Sequence, residues 1–168
     1  MIKKLKIYST IFLLLILASC KIGYSFSGGN VSPDIKTVSV EYFQNHALLV
    51  NPNLSQYLTE EIKDKFVSQT SLELVKDDGD WQFYGDIKTY RTSPAAIQGD
   101  MASQTRLTIS VKVKFVNTKN SEEDFERNFS GYTDFPSEKS LDEVEDQAVT
   151  EIVEKIVDDI FNATAGNW

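Results

Sequence analysis

A strictly alternating stretch near the middle of the chain constrains the fold most. In residues 107–115 every second side chain is apolar, and every residue between them is Thr, Ser or Lys. Successive side chains of a β-strand point to opposite faces, so this period of two predicts a strand with one buried face. A layer of other elements must cover that face. The hydrophilic face of the same sheet is predicted to stay open.

Other segments carry weaker strand patterns. Residues 35–43 alternate, with Val38, Val40 and Tyr42 on one face, and residues 81–91 alternate in the same way. Strands are also predicted at 72–76 and 124–132, separated from their neighbours by polar turns. In the turn at 77–80 we expect Gly79 to take the positive φ. Residues 92–104 contain Pro94 and Gly99 and are predicted to be a strand tip, a bulge or a mobile loop.

Two segments have the period of an amphipathic helix. Leu54, Leu58, Ile62 and Phe66 recur every four residues, after a start that either Asn51 or Asn53 can cap. The second segment begins at Ser140, which has the spacing of a capping box with Glu143. Its apolar stripe continues for about 20 residues, or roughly 30 Å. The apolar stripe is made by these residues: Leu141, Val144, Ala148, Ile152, Ile156 and Ile160.

The order of these elements is strand, helix, three or four strands, helix. One apolar face on each strand and one stripe on each helix are satisfied together if both helices cover the same side of one sheet. The predicted fold is therefore α+β: a two-layer sandwich with two helices packed on one face of a four-stranded, mostly antiparallel sheet.

The N-terminus has the layout of an export signal. Three lysines precede an apolar run of about 12 residues. This run is too short to span the hydrocarbon core of a bilayer, which requires a helix of about 20 residues. The run ends in Leu-Ala-Ser-Cys, which resembles a bacterial lipobox. We expect residues 1–19 to be a signal peptide that is removed and Cys20 to be lipidated, carrying fatty acids such as palmitate. Residues 20–34 then form a tether, and residues 35–168 form a single domain.

Charge and cysteine content exclude several classes of function. Removing residues 1–19 removes three lysines and no acid, which takes the net charge from −8 to −11. Such a charge disfavours nucleic-acid binding and broad docking on anionic lipid. Cys20 is the only cysteine, so its acylation leaves no thiol for a disulfide or a metal site.

No catalytic pattern stands out in the chain. His46 is the only histidine and has no ligand pattern beside it, and Asp77-Asp78-Gly79-Asp80 lacks the alternation of a calcium loop. No nucleophile and base can be paired by motif. We therefore predict a protein that is not an enzyme and that holds no metal and no cofactor.

Basic residues gather on two neighbouring predicted strands. They make up five of the fourteen lysines and arginines of the mature chain. This basic strip is either an ordinary solvated sheet face or a binding strip for phosphate- or carboxylate-bearing lipid, or for an acidic partner loop. The residues of the strip are Lys88, Arg91, Arg106, Lys112 and Lys114.

The mature chain, from Cys20 to Trp168, resembles the LptE family of lipopolysaccharide-assembly lipoproteins. No chemical motif carries the resemblance; it rests on the order and spacing of several segments. Ser27 stands where better-known members carry an arginine. The segments are GYSFSG at 23–28, SPDIKTVSVEYFQN at 32–45, LSQYLTEEIKDKFVSQTSLELV at 54–75, RLTISVKVKF at 106–115 and a closing helix that ends DDIFNATAGNW.

This resemblance implies a four-stranded, two-helix sandwich and a role without catalysis. Family members sit as a plug in the lumen of the outer-membrane β-barrel LptD, help to assemble it, and assist lipopolysaccharide transport to the outer leaflet. The implied location is the outer membrane, with a lipid anchor and the domain facing the periplasm and the barrel lumen. An alternative is a free periplasmic lipoprotein that binds a small ligand between helices and sheet, or serves as an envelope scaffold.

Overall fold

The computed structural model describes residues 31–49, 51–98 and 101–166, which form one sheet and two α-helices. The predicted signal peptide, Cys20 and the 23–28 segment lie outside the described residues. A short 3₁₀ turn, Ser121–Glu123, precedes the last strand. The elements in chain order are β1 Thr37–Val40, β2 Gln44–Asn45, α1 Leu54–Gln69, β3 Glu73–Leu74, β4 Trp81–Gln98, β5 Met101–Asn117, β6 Phe125–Pro136 and α2 Leu141–Thr164.

The sheet is mixed and has six strands in the order β3-β1-β4-β5-β6, with β2 also paired to β4. Strands β4, β5 and β6 are antiparallel, whereas β1 runs parallel to β3 and β4, and β2 runs parallel to β4. The prediction of a four-stranded, mostly antiparallel sheet was therefore wrong in strand number and in part of the pairing. Helix α1 connects β1 to β3, and a strand–helix–strand connection makes its two strands parallel.

Both helices pack against the apolar face of this sheet, as predicted. The Phe66 ring of α1 lies 4.6 Å from the Phe83 ring of β4 and 5.3 Å from the Phe161 ring of α2. Phe83 in turn lies 5.0 Å from Phe115 of β5, so one aromatic cluster joins both helices to the sheet. These rings and the aliphatic stripes of the two helices fill the space between the layers.

Two glycines let other residues approach the sheet closely. A Cβ on Gly85 would lie 2.4 Å from the Phe43 ring, and one on Gly131 would lie 2.8 Å from Cγ2 of Ile152 in α2. Phe43 is fully buried, whereas Tyr42 is 58% exposed. The predicted sharing of a face by Tyr42, Val38 and Val40 was therefore wrong, because β1 ends at Val40 and the chain turns Phe43 inward instead.

The turn before β4 differs from the prediction in its backbone. Asp78, not Gly79, has the positive φ, at 54°. Glycine is needed at 79 for space, because a Cβ there would lie 2.6 Å from the backbone nitrogen of Ser39.

Within the predicted tip, residues 92–98 and 101–104 extend the β4–β5 hairpin, with register shifts beside Pro94. β4 reaches Gln98 and β5 begins at Met101, so both strands are longer than the alternation indicated. Because proline interrupts the ladder, a bulge at this point relieves the pairing.

The starts of both helices follow the predicted chemistry. Oδ1 of Asn51 accepts the backbone N–H groups of Asn53 and Leu54 at 2.9 and 3.0 Å, so Asn51 is the side chain that caps α1. Before α2, the backbone N–H of Ser140 donates to the Glu143 carboxylate at 2.7 Å, as in a capping box.

Candidate binding face on the open side of the sheet

The hydrophilic side chains of β5 form the centre of the open face. Each faces one residue of β4 and one of β6, which gives ladder rows that cross the three strands. The two ends of the face carry charged rows, and its middle carries hydroxyl groups. From one end to the other the rows are Tyr84-Lys114-Glu126, Asp86-Lys112-Asn128, Thr89-Ser110-Ser130, Arg91-Thr108-Tyr132 and Ser93-Arg106-Asp134.

A bulge in β4 brings Arg91 onto this face. Ile87 pairs with Val111 and Thr89 pairs with Ser110, so Lys88 is an extra residue in the ladder. The extra residue reverses the alternation that follows it, because side chains of a strand change face at every step. All five residues of the basic strip therefore lie along the open face.

Tyr90 fixes this part of β4 from the opposite side. Its ring is buried, and its hydroxyl donates to the Glu145 carboxylate of α2. Burial, followed by this hydrogen bond, raises the pKa of Tyr90. Because Tyr90 is held in the core, its neighbour Arg91 is directed to the open side.

Carboxylates neutralise two of the cations on β5. Arg106 donates through Nε and an Nη to the Asp134 carboxylate at 2.7 and 2.9 Å, and its guanidinium stacks 3.8 Å from the Tyr132 ring centre. Lys112 forms an ion pair with Glu126. Each hydrogen bond raises the pKa of its cation and lowers the pKa of its acid. These side chains hold one another in place across β5 and β6.

Lys88 belongs to a smaller charged group at the β2 side. Its ammonium lies 2.9 Å from Oδ2 of Asp86, and Nε2 of His46 lies 3.3 Å from Oδ1 of the same carboxylate. The hydrogen bond from Lys88 lowers the pKa of Asp86. Among the described residues, Arg91 and Lys114 are the members of the strip that form no ion pair.

A groove of about 440 Å³ runs beside Arg91 in the middle of the face. Its lining combines two cations, the hydroxyl groups of two threonines and two serines, and one leucine from the loop after β2. The hydroxyl of Tyr90 is not one of these donors, because it is bound to Glu145 on the core side. Cationic and hydroxyl donors together suit an oxyanion such as a phosphate. The groove is lined by Leu48, Lys88, Thr89, Tyr90, Arg91, Thr108, Ser110 and Ser130.

The structure thus places all five predicted residues on one face, but only three of them are paired with carboxylates. Alternation in β5 placed Arg106, Lys112 and Lys114 on one face, and nothing in β6 indicated which acids would lie opposite. Sequence reasoning missed Leu48, which is fully exposed at the edge of the groove. Its signal was an apolar Ala-Leu-Leu-Val stretch within a loop.

Two further findings bear on the kind of site. Over residues 31–49, 51–98 and 101–166 no group of three or more His, Cys, Asp or Glu side chains is placed to hold a metal ion. Within the same ranges, neither helix has the length and apolarity needed to cross a membrane.

Solved structures from several bacteria share this architecture. The hypothetical protein CT253 from Chlamydia trachomatis aligns with a TM-score of 0.56 at 13% identity, covering 79% of this chain and 99% of its own. Protein XCC0632 from Xanthomonas campestris gives 0.53 at 12% identity, covering 80% and 87%. A minor lipoprotein from Acinetobacter baumannii gives 0.52 at 11% identity, covering 77% and 91%. At these identities the likeness shows a shared fold.

Family membership follows from the sequence comparison. Among curated protein sequences the search found no match to this chain. The model of the LptE lipopolysaccharide-assembly family, however, matches residues 35–164, which covers nearly all of the described domain. The chain therefore belongs to the LptE family of lipopolysaccharide-assembly proteins.

Proposed function

We propose that the protein is an outer-membrane lipoprotein that plugs and helps to assemble an LptD-type β-barrel and assists lipopolysaccharide insertion into the outer leaflet. The observation that carries the proposal is the LptE family match over residues 35–164. Acylation of Cys20 anchors the mature chain, and the domain faces the periplasm and the barrel lumen. The role requires no catalysis and no cofactor.

The open face supports a place inside a barrel. Wide outer-membrane barrels have polar, water-lined interiors, so a plug needs a polar surface with few exposed apolar side chains. The ladder rows on β4, β5 and β6 provide hydroxyl groups and internally balanced ion pairs such as Arg106–Asp134. A surface that neutralises its own charges loses less hydration energy when a polar wall closes over it.

Part of the basic strip is proposed to contact the phosphates of lipopolysaccharide. Its members differ in their freedom to do so. Lys112 and Arg106 already bind carboxylates, whereas Arg91 and Lys114 do not pair with an acid among the described residues. Arg91 also borders the groove of hydroxyl groups. We therefore place the main phosphate contact at Arg91, with Lys88 beside it.

Lipopolysaccharide capture by charge variants tests this assignment. Arg91→Glu is expected to weaken binding of purified lipopolysaccharide about tenfold, because it replaces an attraction by a repulsion. The matched control is Lys112→Glu with Glu126→Lys, which exchanges the partners of an existing ion pair and is expected to bind normally. A contact at Arg91 would be contradicted if both variants lost lipopolysaccharide binding equally. It would also be contradicted if neither variant lost binding.

The alternative of a free ligand-binding lipoprotein predicts a pocket between helices and sheet. The centre of that interface is filled: Phe66 lies in ring contact with Phe83 and Phe161, and each of the three is buried. A cleft of about 190 Å³ opens at its edge, between β6 and α2. The packing thus favours a protein that binds through its surface. Depletion of the protein distinguishes the two roles, since loss of surface lipopolysaccharide is expected only for the assembly role.

A further inference from the structure

The loop between β2 and α1 holds a leucine fully out into solvent. Leu48 is 102% exposed and Leu49 is 50% exposed, while the preceding Ala47 is buried at 9%. The loop is fixed just before this point, because the N–H of His46 donates to the carbonyl of Ile87 at 2.9 Å. The N–H of Ala47 donates to Oδ1 of Asn45 at 2.9 Å. Leu48 therefore projects from an anchored base.

Two basic side chains lie at the base of this projection. Leu48 lines the groove with Lys88 and Arg91. Lys88 is paired with Asp86, whereas Arg91 forms no ion pair among the described residues. The other exposed aliphatic side chains have different surroundings: Leu74 borders a groove whose lining mixes lysines with the acids Glu41 and Asp77, and Val67 lies on α1. In the described part of the chain, Leu48 is thus the exposed aliphatic residue that borders a groove lined by cations and by no carboxylate.

We propose that the Leu48–Leu49 tip docks into the interfacial layer of a phospholipid bilayer. An apolar tip above a basic collar matches a membrane surface, where acyl chains lie beneath phosphate groups. Burying the two leucines removes their apolar surface from water, which favours docking. Arg91 and Lys88 then lie at the level of the headgroup phosphates.

A lipid anchor makes this weak contact effective. The proposal rests on the anchor at Cys20 that the proposed function includes, because two leucines alone hold a domain at a membrane only briefly. The stretch from Cys20 to Val31 can span up to about 35 Å when extended. Tethering over such a distance raises the local concentration of the loop at the bilayer to the millimolar range. Docking would orient the domain on the membrane before any barrel partner binds.

A fluorophore at position 48 tests the proposal on the full lipidated chain. Cys20 is the only native cysteine, so Leu48→Cys gives a single thiol for an environment-sensitive dye once Cys20 is acylated. The protein is reconstituted into vesicles of phosphatidylethanolamine and phosphatidylglycerol, and Val67→Cys is the matched control. We expect a blue shift and quenching by lipid-borne quenchers at position 48 and neither at position 67.

Second variants measure the contributions of the leucine and the arginine. On the Leu48→Cys background, Leu49→Ser is expected to reduce the ratio of docked to undocked protein about tenfold. Arg91→Gln is expected to reduce it about fivefold. Flotation of the protein with the vesicles shows whether the anchor holds the protein on the membrane, independently of docking by the loop. If flotation fails, an N-terminal histidine tag on nickel-chelating lipid replaces the anchor, and the same dye signal is measured.

Three results would overturn the proposal. The first is a dye at position 48 that stays in water although the protein is on the vesicle. The second is an equal shift at positions 48 and 67, which would indicate general adsorption of the domain. The third is a shift at position 48 that appears only after a barrel partner is added, which would make the tip a protein contact.

Discussion

The carboxylate of Asp80 lies 2.9 Å from the ammonium of Lys119 and joins three parts of the sheet. Its other oxygen accepts the backbone N–H groups of Lys36 and Thr37 at 2.8 and 3.1 Å. Asp80 thereby ties the entry to β1 and the turn after β5 to the start of β4. The hydrogen bond from Lys119 is the largest of several causes that lower the pKa of Asp80 to about 2.

This arrangement predicts that Asp80 stabilises the fold except in strong acid. The pKa falls from 3.8 to about 2 on folding, so the stabilisation is fully present above 3.8 and is lost as the pH drops through 2. Asp80→Asn should lower the free energy of unfolding by about 1–2 kcal/mol at neutral pH. Urea denaturation at a series of pH values checks this, and the wild type and variant should converge near pH 2. A constant difference down to that pH would contradict the assignment.

A second prediction concerns the close approach at Gly85. A Cβ at this position would lie 2.3 Å from the carbonyl oxygen of Lys112 and 2.4 Å from the Phe43 ring. Gly85→Ala is therefore expected to destabilise the protein by about 1–3 kcal/mol or more, as overpacking of a core does. Ser110→Ala, on the open face of the neighbouring strand, is the control and should change stability by less than about 0.5 kcal/mol. Thermal unfolding of both variants makes the comparison.

A third prediction concerns the ion pair between Lys112 and Glu126. Lys112→Glu places two carboxylates together and should lower the melting temperature slightly, since like charges on neighbouring strands repel. Adding Glu126→Lys to the same chain should restore the melting temperature. A swap that restores nothing would mean that the two side chains do not interact in solution, as holds for many exposed pairs.

A fourth prediction concerns the ion pair between Arg106 and Asp134. Arg106→Gln leaves the Asp134 carboxylate without its partner and should raise the pKa of Asp134 toward its ordinary value. The carboxyl titration of Asp134, followed by NMR, checks this shift. An unchanged titration would show that the contact with Arg106 does not persist in water.

Periodic patterns predicted the parts of the fold that bury long faces. The alternation from Leu107 to Phe115 located the centre of the sheet, and the four-residue spacing from Leu54 to Phe66 located α1. These patterns persist because a whole face of each element must be apolar. The lone cysteine and the lipobox predict how the chain reaches the membrane; they do not predict its fold.

Local sequence patterns could not predict the remaining features of the sheet and of the open face. Strand β3 lies within the strand predicted at 72–76, whereas β2 has only two residues, too few for any period, and pairs with the edge that β4 offers. No glycine or proline marks the bulge at Lys88 in the sequence, although this bulge determines which face of the sheet Arg91 lies on. The pairing of Lys112 with Glu126 depends on the register of two strands, which the turn between them sets.

Co-purification from outer membranes tests the central claim most directly. Protein carrying a C-terminal tag is extracted in mild detergent from its own cells and captured, and the partners are identified by mass spectrometry. The proposed function predicts a large LptD-type β-barrel in near-equal amount, with bound lipopolysaccharide. A captured chain that is lipidated at Cys20 and folded, but brings no barrel with it, would contradict the account.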